Sequence, residues 1–235
     1  MRKGAAAALA MAVILVTVLA AAPQSTSSAD LESILSKMDS LSASFKTAQA
    51  DFLWDQYTKV VNETDTQSGK VYFRRGAKET EMAADITQPT QKYVLYENSK
   101  VQVYEPRIDQ VTVYNTGKNR AEVESFLVLG FGGRGHDLAK SFDVSWEGYE
   151  TVGGVRAAKL KLVPKSAKGK NIFEYILLWI DPARGVSVQQ QFFEPQGDYR
   201  LAKYSNITIN QNLPADVFKL KTTGRTKVVN PQGSF

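Results

Sequence analysis

Residues 172–180 read Ile172-Phe173-Glu174-Tyr175-Ile176-Leu177-Leu178-Trp179-Ile180, with Glu174 as the only charge. A short run rich in β-branched and aromatic residues reads as a strand. In an extended chain successive side chains point to opposite faces. Phe173, Tyr175, Leu177 and Trp179 would then share one face, with Ile172, Ile176, Leu178 and Ile180 on the other. A strand with one wet face alternates apolar with polar residues, so this one needs two dry faces or a cavity beside it. Phe52 and Trp54, set against Leu53 and Tyr57, repeat the pattern.

Working outward, period-two stretches fall at 50–57, 69–75, 79–86, 91–96, 100–105, 110–114, 142–151, 155–163, 172–180, 186–193 and 199–209. Turn pairs such as Asn98-Ser99, Gly153-Gly154 and Gly197-Asp198 separate them, the signature of an antiparallel meander. Ahead of the strands, residues 30–48 carry Leu31, Ile34, Leu35, Met38, Leu41 and Phe45 at spacings of three and four. This predicts one amphipathic helix, with Ser28 or Asp30 as its cap. A second, short helix is expected over 120–129, running into a flexible glycine-rich loop at 130–135. The expected class is mainly β (α+β): a single curled antiparallel sheet of about eleven strands. Two helices are too little cover for so many apolar faces. A filled barrel or sandwich core, which composition alone favours, and a sheet curled around a hollow both remain open.

The chain has 235 residues and a formal charge of +5, with 11 Phe, 10 Tyr, 3 Trp and no cysteine. Charges of both signs interleave, which argues against nucleic acid. Arg2 and Lys3, then an apolar run and small residues, make 1–22 a secretory signal peptide. We expect a domain over 30–229 and a tail over 230–235.

Catalytic signals are sparse. His136 is the only histidine and cysteine is absent, so neither a common zinc site nor a Cys–His pair can form. No metal, no cofactor and no enzymatic activity is expected. Gly130-Phe131-Gly132-Gly133-Arg134-Gly135 fits G-x-G-x-x-G, but that string serves a dinucleotide only between a strand and a helix. Here it follows a predicted helix and precedes a strand. His136, in this polar loop, reads as a solvated imidazole.

Four stretches in order resemble the LolA family of periplasmic lipoprotein carriers. They are Leu41-Ser42-Ala43-Ser44-Phe45 running into Gln49-Ala50-Asp51-Phe52; Ser68-Gly69-Lys70-Val71-Tyr72-Phe73-Arg74-Arg75; Gln88-Pro89 followed by Val103-Tyr104-Glu105-Pro106 and Asp109-Gln110-Val111; and Asn206-Ile207 through Leu213-Pro214-Ala215-Asp216-Val217-Phe218. The second is similar to the family's Gly-x-Leu-x-x-x-Arg-Pro strand.

The resemblance implies an open half-barrel lidded by the two helices over a hydrophobic cavity for lipoprotein acyl chains. It implies a monomeric periplasmic shuttle without cofactors, no nucleic-acid partner, and transient membrane contact. Its partners would be acylated lipoproteins, an inner-membrane ABC lipoprotein-release complex and an outer-membrane lipoprotein receptor. Cavity candidates are Leu35, Met38, Phe52, Trp54, Val71, Phe73, Tyr93, Leu95, Val103, Phe173, Tyr175, Leu177 and Trp179. Arg75 matches the family arginine that latches the lid, with Leu35 the matching lid position. The family proline that follows is Gly76 here, which leaves Arg74 as a second latch candidate. An envelope-stress sensor with the same fold, or a carrier of another lipid, is the alternative.

Overall fold

A computed structural model describes residues 24–76, 80–117, 126 and 129–231. Helix α1 (Gln24–Ser44) leads into β1 (Thr47–Thr58), β2 (Glu63–Arg75), β3 (Thr80–Gln88), β4 (Lys92–Glu97), β5 (Lys100–Glu105) and β6 (Gln110–Asn115). Then come α2 (Gly135–Ser141), β7 (Phe142–Val152), β8 (Val155–Pro164), α3 (Ala167–Ile172), β9 (Tyr175–Asp181), β10 (Val186–Phe193), β11 (Tyr199–Ile209) and β12 (Lys227–Val229). All the strands join one curled, unclosed sheet in the order β12-β6-β5-β4-β3-β2-β1-β11-β10-β9-β8-β7. Neighbours run antiparallel except β12, which lies parallel to β6.

The predicted meander is present, with instructive differences. Asn98-Ser99 and Gly153-Gly154 take positive φ at the β4–β5 and β7–β8 turns, the backbone that two-residue hairpins favour. β12 was not expected. Asp109 anchors its approach by accepting from the hydroxyls of Thr223 (2.7 Å) and Thr226 (2.6 Å), a link with no local periodicity. β2 starts at Glu63 rather than 69: residues 63–67 are polar on both faces, which hid the strand, and pair only with β1. α1 runs from 24 to 44, not 30 to 48, so Ser28 and Asp30 lie inside it rather than at its cap. Ala48, a good helix former, belongs instead to β1, where it is buried among Phe45 and Phe73; packing overrides propensity.

Residues 167–172 are helical, not part of the strand expected at 172. The Ser166 hydroxyl accepts from the Gly169 N–H at 2.9 Å, and the Phe173 N–H closes the last turn on the Gly169 carbonyl at 2.8 Å. β9 therefore begins at Tyr175. The predicted signal peptide, and the second helix over 120–129 apart from Phe126 and Leu129, lie outside the described residues.

α1 lies on the inner face of one half of the sheet. Its buried Ile34, Leu35 and Met38 pack against Leu160, Leu162, Ile176, Leu178 and Ile180. The 130–135 segment is a packed corner rather than a flexible loop: Phe131 is buried and stacks on Phe73, with ring centroids 4.2 Å apart. A Cβ at Gly132 (φ +74) would overlap the Phe45 ring, and one at Gly135 would meet the Leu35 backbone at 2.4 Å. Those glycines let α2 and its lead-in lie directly on α1.

Candidate lipid-binding cavity

On the other half of the sheet, register lines up the inward side chains. Phe73 faces Met82, which faces Tyr96, while Val71 faces Ala84, which faces Val94. Phe52 lies across from Tyr204 and Trp54 from Ala202. No helix among the described residues packs on this face as α1 does on the other, and a cavity of about 340 Å³ remains. It is lined by Phe52, Trp54, Val71, Phe73, Met82, Ala84, Ile86 and Val94 on one side. Phe126, Phe173, Phe192 and Tyr204 line the other. Phe173 bridges the two halves, 5.0 Å from Phe126 and 5.2 Å from Phe192 between centroids. The volume is at the small end of ordinary ligand sites, and the lining is apolar with a few polar groups, as such sites usually are.

Those polar groups are Gln67, Gln190 and Arg200. Gln190 is committed: its amide donates to the Leu129 carbonyl, and its oxygen accepts from the Tyr204 hydroxyl at 3.1 Å. Burial pushes the Tyr204 phenol far up, so it stays a neutral donor.

The candidate residues divide by face. Phe52, Trp54, Val71, Phe73 and Phe173 line the cavity, and Val103 lies behind it against the same cluster. Leu35 and Met38 sit in the packed core under α1. Tyr93 and Leu95 take the outer face instead: Tyr93 stacks on Tyr104, and Leu95 lies with Tyr72 and Ala83 beneath Phe218. Tyr175, Leu177 and Trp179 are on the outer face too, clear of the hollow. Trp179 is buried there with Ala157 and Val188, and its indole N–H donates to Glu150 at 3.1 Å. Lys159 and Lys161 lie over the Trp179 and Tyr175 rings at 5.0 and 4.5 Å. Long lysine stems drying a neighbour's aromatic ring explain the second apolar face without any cavity. Met82, Ala84, Ile86, Val94, Phe192 and Tyr204 escaped sequence reading, although the strand register contains them.

The two arginines also part company. Arg75, at the inner end of β2, donates to the carbonyls of Phe45 (3.0 Å), Ser42 (2.9 Å) and Gly132 (2.9 Å). It ties the end of α1 and the 130–135 corner to the sheet at once, a task suited to a planar, five-donor group. Its partners are Ser42 and Phe45, further along the chain than Leu35. Arg74 points outward, paired with Glu81 and lying 4.2 Å over the Phe218 ring.

Nor is His136 a free imidazole. Its Nδ1 is 2.6 Å from an Asp39 carboxylate oxygen, its Nε2 is 3.2 Å from Glu32, and its backbone N–H donates to Asp39 at 3.2 Å. Hydrogen bonds to Asp39, then to Glu32, raise its pKa above 6.5. Among the described residues no group of three His, Asp or Glu could hold a metal ion.

An unclosed sheet curled beside an apolar hollow, with a helix tied across it by one arginine, is the architecture of a half-barrel that can accept an apolar guest. This chain belongs to the LolA family: the family model for the outer membrane lipoprotein carrier protein LolA matches residues 43–221. An outer-membrane lipoprotein carrier protein of Methylococcus capsulatus is 25% identical over 180 residues, covering 76% of this chain and 80% of the relative. Among solved structures, an uncharacterized conserved protein of Thermus thermophilus superposes with a TM-score of 0.55 at 13% identity, covering 86% of this chain and 99% of that one. MucB in the Pseudomonas aeruginosa MucA/MucB complex gives 0.51 at 13% identity. That match covers 81% of this chain and 61% of MucB's. Both likenesses are of fold.

Proposed function

We propose that this protein is a periplasmic carrier that holds the acyl chains of lipoproteins in the half-barrel cavity and ferries them from the inner to the outer membrane. The open apolar cavity on the half of the sheet that α1 leaves uncovered carries this reading, with the family membership behind it. Each buried methylene contributes about 0.8 kcal/mol, so a single acyl chain supplies most of the binding free energy. A carrier must also release its load. A helix fastened beside the cavity by a few hydrogen bonds from one arginine, each worth about 0.5–1.5 kcal/mol net, can be shifted by a partner. The partners we propose are an inner-membrane ABC release complex, an outer-membrane lipoprotein receptor and, transiently, the membrane surface. The role is binding and transport rather than catalysis, reached through the signal peptide read at 1–22.

A second reading, an envelope-stress regulator that works through a protein partner, draws on the fold-level likeness to MucB, which has been crystallised with MucA. Native mass spectrometry of protein expressed into the periplasm separates the two. We expect adducts of acylated peptide or lipid on the purified chain. A protein that emerges empty and fails to take up a synthetic diacylated lipopeptide would end the carrier reading.

A further inference from the structure

The cavity is not uniformly greasy. Arg200 lies on the inner face of β11, opposite Gln56 of β1 and Phe192 of β10. Its guanidinium sits 5.9 Å from the Phe173 ring centroid in the cavity wall. A guanidinium has five N–H donors. Among the described residues Arg200 makes one polar contact, from Nη2 to Glu194 at 2.9 Å, and its side chain is about a third exposed, so water can reach part of the fork. Its Nε is sealed from solvent with no acceptor, a costly state for a charged donor. Glu194 pairs with one side of the guanidinium, while the cavity wall on the other side holds Trp54, Phe173 and Phe192, none of which offers Nε a side-chain acceptor.

Gln67 of β2, which faces Trp54 of β1, lines the same cavity as Arg200. It lines both this cavity and an adjoining hollow of about 180 Å³. That hollow is polar, walled by Thr90, Lys92, Glu105 and Arg107. Lys92 reaches Glu105 only at 3.8 Å. The cavity therefore grades from an apolar end at Phe73 and Met82 to an end where cationic and amide donors gather. An alkyl chain alone needs no such gradient, but an amphiphile does.

We infer that Arg200 is a head-recognition residue, donating to the oxygens at the head end of an acyl chain whose tail lies toward Phe73, with Gln67 and the Lys92–Arg107 hollow taking what extends beyond. This rests on the carrier reading and names the ligand's polarity and direction within the same cavity. The shared chemistry is an oxygen acceptor next to an alkyl chain, present in a carboxylate and in the ester carbonyls of a diacylglyceryl-cysteine.

The test uses the full mature protein and three probes in fluorescence titration and competition. They are the neutral dye N-phenyl-1-naphthylamine, which has no head group, palmitate, and a synthetic dipalmitoylglyceryl-cysteine peptide. Arg200→Met should leave dye affinity within about twofold of wild type and weaken at least one headed probe by tenfold or more. Arg200→Lys, which keeps the charge but loses the planar fork, should fall between. Loss confined to palmitate assigns an anionic head, and loss with both headed probes assigns the ester oxygens. Equal binding of every probe by wild type and Arg200→Met overturns the assignment while leaving the cavity standing. If wild type binds no probe, dye included, the carrier reading falls and the head site goes with it.

Discussion

The two halves of the sheet are built from the same alternation and end differently. On β8 and β9 the inward Leu160, Leu162, Ile176, Leu178 and Ile180 are fully buried, because α1 lays Ile34, Leu35 and Met38 on them. On β1–β4 the equally apolar inward residues Trp54, Val71, Ala84 and Val94 meet a cavity. Whether a curled apolar face becomes core or binding site is thus decided by where the helix falls. The helix falls where it does because small residues let it: the Gly132–Gly135 corner admits contact at backbone distance.

The comparison can be broken most forcefully by one substitution in each half. Leu178→Ala opens a hole in the filled half and should cost about 2–5 kcal/mol in denaturant unfolding, as buried leucine truncations do. Ala84→Phe adds volume to the hollow half. It should leave unfolding stability nearly unchanged while cutting capture of a neutral hydrophobic dye at least tenfold. If Ala84→Phe proves as damaging to stability as Leu178→Ala, the hollow is packed in solution and the contrast is lost.

A smaller effect sharpens the boundary between the halves. Arg75→Leu removes one donor from each of three carbonyls: Gly132 keeps the Ser42 hydroxyl at 2.7 Å, Ser42 keeps the Phe45 N–H at 3.2 Å, and the Phe45 carbonyl loses its Arg75 partner. Water can replace it at this partly exposed site, so we expect a loss of about 1–2 kcal/mol. Amide exchange should quicken around residues 42–45 and 130–135, with β8 and β9 unmoved. Arg74→Leu is the control, since an exposed ion pair such as Arg74–Glu81 is worth little and touches neither segment. Equal exchange in both variants would refute the latch.

Much of this was legible in the sequence, and the reasons for the rest are physical. The strands showed through period two, the helix through spacings of three and four, and Arg75 through a motif resemblance. What stayed hidden was which side of each strand faces inward. At 172–180 both faces are apolar, so alternation fixed the grouping but not the direction. The outer group, Tyr175, Leu177 and Trp179, is dried by Lys159 and Lys161 from β8, residues that read as surface charges. Phe173 reached the cavity by lying outside the strand, in a turn closed by Ser166 and Gly169. Leu95 and Tyr93 turned outward because the segment around Phe218 covers them. Such cover comes from far along the chain, where no local pattern announces it.

The smallest expected effect concerns the clasp that holds the cover's two parts together, away from the cavity. His136 on α2 stands between Asp39 and Glu32 on α1, and Arg134 lies 3.6 Å from Asp39. Folding raises the His136 pKa above its ordinary 6.5, so protonation and folding favour each other. The clasp's contribution is complete below that ordinary value and fades as pH rises through the raised one. The carboxylates run the opposite way. Burial lifts Asp39, but the bonds from His136 outweigh it, and Glu32 is lowered by the same histidine. Both stay charged until well into acid. Wild type should therefore lose a little stability to His136→Gln near pH 6, and the gap should close as pH rises through the raised value. Asp39 is half-buried, but the side chains of His136, Glu32 and Arg134 are open to solvent, so added salt should shrink the gap as well. Thermal melts of the two proteins across that range are the measurement, and parallel curves would remove the clasp from the account of how the cover is held.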